Sequence, residues 1–160
     1  EQKKFTIIDL SIGASYSSEY SLMTKAEAIQ MVKEGISKVD NPQRIVIDSL
    51  SALRRRLADE SDFREVFMKL LIMCKETGAT TMMSAEGIPM SPSITEYLVD
   101  HLIYLDYHKH DVVWTRVFIL RKSRSVALKP QILKLNIARE GLSVEEIPIS
   151  LKPVWFQSKM

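Results

Sequence analysis

Residues 44–53 read Arg44-Ile45-Val46-Ile47-Asp48-Ser49-Leu50-Ser51-Ala52-Leu53. The run of three apolar residues that ends in a carboxylate is typical of a central parallel strand buried on both faces. A carboxylate at the carboxyl end of such a strand lies in the crevice where open α/β sheets bind ligands. Asp48 is therefore either part of a ligand site or only a cap for the helix that follows.

Two elements precede this stretch. The apolar, β-branched residues 5–10 predict a buried strand. Thr24 and Glu27 have the spacing of a capping box, which predicts a helix that ends at Asn41-Pro42.

Further elements follow it in the same alternation. A short helix through Leu50 and Leu53 leads to a strongly amphipathic helix, which we expect to be capped by Ser61 and stopped by Gly78. Residues 80–84 then predict a second buried strand.

The C-terminal half is rich in strands. We expect a helix over residues 93–99, followed by strands over residues 101–107, 112–120, 131–138 and 142–147. Because their turns are short, these strands favour an antiparallel meander. The predicted fold is therefore α/β, a mostly parallel sheet flanked by helices with antiparallel C-terminal strands. Residues 1–147 form one domain in this interpretation, and residues 148–160 form a tail.

Composition limits the function classes. Of the 160 residues, 46% are hydrophobic and 26% are charged, as in a soluble globular protein. The net charge of +2 is too small by itself to indicate nucleic-acid binding. Cys74 is the only cysteine, which favours a reducing, cytoplasmic compartment. No apolar run approaches the ~20 residues that cross a bilayer, so no membrane span is expected.

Residues 44–53 resemble the second nucleotide-binding motif of the KaiC-like ATPases, a branch of the RecA superfamily. Four later segments resemble the same family in its order and spacing. They are residues 80–86, 96–105, 116–124 and 139–144. The resemblance covers nearly everything from Phe5 to Val144, and this collinearity is more specific than any single motif.

The resemblance implies a RecA-like subunit of a homo-oligomeric ring or filament that binds and hydrolyses ATP with Mg²⁺. Asp48 matches the carboxylate that positions Mg²⁺ and water, with Ser49 beside it at the nucleotide. Glu86 matches a polar residue, often Gln, that senses the γ-phosphate. Since a carboxylate repels phosphate, Glu86 would act through water or an Arg. The alternative is a polar residue that simply ends a strand.

Lys122 and Arg124 match a Lys-x-Arg segment that reaches a neighbouring subunit's γ-phosphate, in the manner of an arginine finger. The family usually continues with Gly-Thr, whereas Ser125 and Val126 stand here. The alternative is a solvated strand end.

Arg54, Arg55 and Arg56 occupy the position where RecA-like rings present a loop to their central channel, and they could bind single-stranded nucleic acid. The alternative is a mixed exposed face in which they pair with Asp59, Glu60 and Asp62. His108 and His110 alternate on one predicted strand face, but no further ligand is placed to complete a metal site.

The phosphate-binding loop Gly-x-x-x-x-Gly-Lys-Ser/Thr does not occur among these residues. The resemblance places that loop upstream of residue 5, so we expect the 160 residues to be inactive alone and the parent protein to hydrolyse ATP. The alternative is a non-hydrolysing assembly or regulatory module that keeps the same fold.

Overall fold

The computed structural model describes residues 5–8, 22–87, 94–110, 113–127 and 132–147. The chain divides into two compact units, a first unit over Glu1–Thr95 and a second unit over Glu96–Met160.

The described residues of the first unit form three helices and two strands. They are α1 (Lys25–Ser37), β1 (Arg44–Ile47), α2 (Leu50–Arg55), α3 (Glu60–Glu76) and β2 (Thr80–Met83). Strands β1 and β2 pair in parallel, in a register that runs from Arg44 opposite Thr80 to Ile47 opposite Met83. The predicted parallel strand pair with intervening helices is therefore confirmed.

The helix starts follow local capping chemistry. At α1 the predicted capping box is present, since Thr24 accepts from the Glu27 N–H and Glu27 accepts from the Thr24 N–H. At α3 the predicted cap Ser61 is wrong, because the Asp59 carboxylate lies earlier in the chain and accepts from the Asp62 N–H at 2.8 Å.

The predicted end of α3 agrees with the structure, whereas that of α1 does not. Gly78, predicted to stop α3, has a positive φ of 71°, a backbone conformation that favours glycine. Helix α1 ends at Ser37, before the predicted Asn41-Pro42. Asn41 itself has a positive φ of 49°, so it belongs to the turn and not to the helix.

The core of the first unit lies among its helices. Helix α3 packs against both α1 and α2, and the rings of Phe63 and Phe67 stack with centroids 5.9 Å apart. The buried apolar residues are Ala28, Val32, Leu50, Leu53, Leu57, Phe63, Val66, Phe67, Leu70 and Cys74. Burial also raises the pKa of the Cys74 thiol.

The strands of the first unit are less buried than predicted. Val46 and Met82, which lie opposite each other in the register, are 70% and 65% exposed, so the described residues leave this sheet face uncovered. The strand predicted over residues 5–10 is wrong at residues 5–8, which have no regular structure. Phe5 and Ile7 are 84% and 81% exposed there, and a strand needs a hydrogen-bonded neighbour as well as β-branched residues. Residues 9 and 10 lie outside the described part.

The second unit is an antiparallel meander with a short helix. Its elements are α4 (Ile94–Leu98), which begins at the unit boundary, β3 (His101–His110), β4 (Val113–Ser123), β5 (Ile132–Ala138) and β6 (Gly141–Glu146). The strand order is β3-β4-β5-β6, as predicted. Val117, Ile132 and Ile147 form a small buried cluster on one sheet face. The predicted tail over residues 148–160 lies outside the described residues.

The predicted fold class is confirmed, with a parallel strand pair, helices and antiparallel C-terminal strands. Within the described residues, none of the helices has the length and apolar character that a membrane span requires.

Candidate functional site

Two strand ends meet where Asp48 leaves β1. The parallel register makes Asp48 and Ser84 the first residues beyond β1 and β2. The backbone N–H of Ser84 donates to the Ile47 carbonyl at 3.0 Å, and the Ser84 carbonyl accepts from the Leu50 N–H at 2.8 Å. These two bonds join the end of β2 to the junction between β1 and α2.

The Asp48 carboxylate is exposed and accepts a hydrogen bond from the Ser84 hydroxyl. In the part of the chain that the structure describes, Ser84 is its only hydrogen-bond partner. Ser49 performs the capping, because its hydroxyl accepts from the Ala52 N–H at 3.3 Å at the start of α2. The alternative in which Asp48 caps this helix is therefore not what the structure shows.

Glu86 lies at the same strand edge. Its N–H donates to the Ser51 hydroxyl at 2.7 Å. Its carboxylate is 75% exposed and lies 3.4 Å from a guanidinium nitrogen of Arg55. An arginine therefore stands beside Glu86, although an exposed pair at this distance is weak. We call Asp48, Ser84 and Glu86 the strand-edge site.

Ser84 and Ser51 are members of this region that the sequence pattern did not identify. A signal for Ser84 was nevertheless present, because it follows β2 as Asp48 follows β1. In a parallel pair, residues that follow the two strands lie at the same edge of the sheet.

Two of the three consecutive arginines, Arg54 and Arg55, have separate acidic partners. Arg54 lies 2.6 Å from Glu60 and stacks over the Phe63 ring at 5.8 Å. Arg55 faces Glu86, as described above. Of the three predicted acidic partners only Glu60 pairs with an arginine in the described residues. The contacts fit a mixed exposed face.

The other two predicted acidic partners are engaged elsewhere. Asp59 caps α3, and Asp62 lies 3.3 Å from the Lys25 ammonium group. Lys25 also contacts Glu65 at 2.7 Å and so joins α1 to α3. The hydrogen bonds between these side chains, together with their opposite charges, raise the pKa of Lys25 and lower that of Glu65.

The second unit brings together Lys122 and Arg124, which we call the basic segment. Lys122 donates to the carbonyls of Glu96 and Tyr97 at 2.9 and 3.0 Å. These carbonyls belong to the last turn of α4, where no helical N–H is available to them. Lys122 therefore satisfies the C-terminal end of this short helix.

Arg124 binds the same end of α4. Its guanidinium donates to the Tyr97 carbonyl at 2.8 Å and lies 3.3 Å from the Asp100 carboxylate. The backbone N–H of Arg124 also donates to the Asp100 carbonyl at 3.0 Å. The charged ends of this pair are about half exposed, at 54% and 52%. The two cations of the basic segment thus meet at one carbonyl oxygen.

A tyrosine completes the attachment of α4 to the sheet. The Tyr104 hydroxyl donates to the Glu96 carboxylate at 2.6 Å. Burial and this hydrogen bond raise the pKa of Tyr104 to about 12. The guanidinium of Arg121 lies 5.7 Å from the centre of the same ring.

The strand-edge site offers hard oxygen donors, which Mg²⁺ prefers. Across the described ranges, however, no group of three or more His, Cys, Asp or Glu side chains could enclose a metal ion. Asp48 is one oxygen donor that Mg²⁺ could use, and in nucleotide sites Mg²⁺ commonly takes its other ligands from water and phosphate. For the predicted His108 and His110 pair, the His110 side chain lies outside the described part.

Comparisons with known proteins agree with this architecture. The family model described as "ATPase: KaiC" matches residues 1–148. A solved structure of a KaiC-like protein from the hyperthermophilic archaeon Pyrococcus horikoshii OT3 is similar, with a TM-score of 0.65 and 25% sequence identity. The similarity covers 76% of this chain and 56% of that chain, so the present chain spans little more than half of it. No match was found among the curated proteins.

Proposed function

The chain belongs to the KaiC family of ATPases, and from this premise we propose that it is the part of an ATP-hydrolysing subunit that positions Mg²⁺ and acts on a neighbouring subunit's nucleotide. The parent protein would bind ATP and assemble as a homo-oligomeric ring or filament. The single cysteine of the 160 residues fits a reducing, cytoplasmic compartment.

The proposal rests on the position and hydrogen bonding of the Asp48 carboxylate. Its carboxylate stands at the carboxyl end of β1, the edge at which α/β sheets bind ligands. Ser49 caps the helix, so the Asp48 charge is not used for capping. A carboxylate in this state can hold Mg²⁺, directly or through water. When bound there, Mg²⁺ would neutralise charge on the β- and γ-phosphates.

The other predicted residues have roles that follow from their charges. Glu86 would orient water or Arg55 near the γ-phosphate, since its own carboxylate is repelled by phosphate. Lys122 and Arg124 would donate to the γ-phosphate of a neighbouring subunit, where negative charge develops during phosphoryl transfer.

Hydrolysis is proposed for the longer protein and not for these 160 residues alone. They contain no Gly-x-x-x-x-Gly-Lys-Ser/Thr segment. Such a loop supplies the backbone N–H groups that surround the triphosphate. Activity measurements therefore need the longer protein that we propose, one with a phosphate-binding loop.

The test is Asp48→Asn in the parent protein. The substitution keeps the shape of the side chain but removes the charge that holds Mg²⁺, so we expect turnover to fall at least about a hundredfold. Thermal unfolding should be unchanged. The measurement is steady-state phosphate release at saturating ATP and Mg²⁺.

Asp59→Asn is the matched control. Asn caps a helix about as well as Asp, and Asp59 only caps α3, so this variant should hydrolyse ATP like the wild type. Normal turnover by Asp48→Asn would show that the carboxylate is not part of the nucleotide site.

A further inference from the structure

Ser84 makes three hydrogen bonds to the segment that carries Asp48. Two of them use its backbone, through the Ile47 carbonyl and the Leu50 N–H. The third uses its hydroxyl, which donates to the Asp48 carboxylate. The backbone bonds hold the two strand ends together, and only the hydroxyl bond acts on the orientation of a functional side chain.

We propose that Ser84 is a positioning residue, whose hydroxyl fixes the orientation of the Asp48 carboxylate toward Mg²⁺. This inference rests on the proposed function of Asp48. It adds a residue that neither the sequence pattern nor the family resemblance singled out. Ser84 itself would not contact the nucleotide.

The physical reason lies in the freedom of an exposed side chain. Without a partner, the Asp48 carboxylate would rotate among several rotamers, and only some of them direct an oxygen toward the metal. A hydroxyl that donates to one oxygen selects a rotamer and leaves the second oxygen available. Hydrogen bonds to an ionised acceptor are about twice as strong as those between neutral groups, so one such bond is enough to bias the rotamer.

The expected effect follows from other metal sites. Removing a group that orients a metal ligand typically reduces metal affinity about 10- to 100-fold. Because both Asp48 and Ser84 are exposed to water, which competes for the carboxylate, we expect the lower end of this range, about tenfold.

Three single substitutions separate the hydroxyl bond of Ser84 from its backbone bonds. Ser84→Ala removes only the hydroxyl, while the two backbone bonds remain, so the strand ends should stay joined. Ser84→Thr keeps a hydroxyl at the same place and should behave like the wild type. Ser51→Ala is the matched control, because Ser51 joins the same edge through Glu86 without touching Asp48.

The first measurement needs no metal. Three-bond scalar couplings across the Asp48 side chain, measured by NMR on the 160-residue chain, report its χ1 rotamer. We expect a single rotamer in the wild type, in Ser84→Thr and in Ser51→Ala, and averaged couplings in Ser84→Ala. Averaged couplings in the wild type, or an unchanged single rotamer in Ser84→Ala, would overturn the inference.

The second measurement uses Mn²⁺ as a paramagnetic substitute for Mg²⁺. Mn²⁺ should broaden the amide signals around residues 48–50, and Ser84→Ala should need about tenfold more Mn²⁺ for half-broadening. Asp48→Asn separates the two ideas. If broadening persists in Asp48→Asn, the proposed metal site is wrong. If it disappears there but Ser84→Ala titrates like the wild type, only the positioning role of Ser84 is wrong.

Discussion

The strand-edge site and the basic segment hold their charged groups in opposite bonding states. In the first unit, the Asp48 carboxylate has a neutral hydroxyl as its partner among the described residues. In the second unit, Lys122 and Arg124 are bound to carbonyl oxygens and, for Arg124, to a carboxylate. The carboxylate can accept a cation as it stands, whereas the basic segment must exchange its partners before it can bind a phosphate.

The cause of the difference is local. After β1 a serine follows the aspartate and caps the next helix, which leaves the carboxylate available. Helix α4 has only five residues, so its last carbonyls have few partners of their own. Strand β4 continues to Ser123 and brings the basic segment to those carbonyls. The cations thus stabilise the C-terminal end of α4.

Among the substitutions that test this comparison, Arg124→Ala in the parent protein should change turnover most. If Arg124 exchanges Tyr97 and Asp100 for a neighbour's γ-phosphate, turnover should fall about a thousandfold, while ATP binding by the same subunit is nearly unchanged. Rapid-quench or steady-state hydrolysis assays measure turnover, and a separate titration measures ATP binding.

Two comparisons show whether Arg124 acts on a neighbour. Mixing Arg124→Ala with Asp48→Asn should restore part of the activity, because some mixed interfaces then contain both intact residues. An arginine that acts within its own subunit gives no such rescue. Arg116→Ala is the control, since Arg116 is another arginine of the same sheet that contacts the Tyr107 hydroxyl, and it should change turnover little.

Much of this fold was predictable because its elements rest on local patterns. The capping box at Thr24, the amphipathic helix that became α3 and the stop at Gly78 each depend on residues a few positions apart. The same holds for the antiparallel meander, whose strands pair in the order in which they follow one another along the chain. The position of Asp48 at a strand edge also followed from the apolar run before it, whereas that of Glu86 followed from the family resemblance.

The remaining features depend on distant residues. The bond from Ser84 to Asp48 joins residues 36 positions apart, and that from Arg124 to Tyr97 spans 27. No periodic pattern records such contacts, because they arise only once a strand register is set. The exposure of Val46 was missed for a related reason. An apolar run shows that a strand can be buried, but not which layers cover it.

A smaller effect is expected from Asp100→Asn in the parent protein. The loss of this charge weakens the hold on Arg124, so exchange toward a neighbour's phosphate should become easier and turnover should rise about two- to threefold. The increase is modest because the pair is half exposed and such pairs contribute little. Steady-state hydrolysis measures it.

The direction in which Asp100→Asn changes turnover shows how Asp100 acts on Arg124. A fall in turnover would mean that Asp100 orders Arg124 for its task and does not compete for it. Asp106→Asn is a suitable control, because Asp106 lies on β3 and accepts a hydrogen bond from the neighbouring Tyr107 N–H. Its turnover should match that of the wild type.

The smallest change in turnover is expected from Glu86→Gln, a substitution in the strand-edge site. The ion pair with Arg55 is long and exposed, so its loss should not unfold this edge, and the bond from the Glu86 N–H to Ser51 uses the backbone and survives. Gln can hydrogen-bond to water or phosphate without repulsion, so turnover should stay within about threefold of the wild type. A loss greater than tenfold would show that the carboxylate itself takes part in the reaction. Arg55→Gln breaks the same pair from the other side and would reveal whether such a loss belongs to the pair or to Glu86 alone.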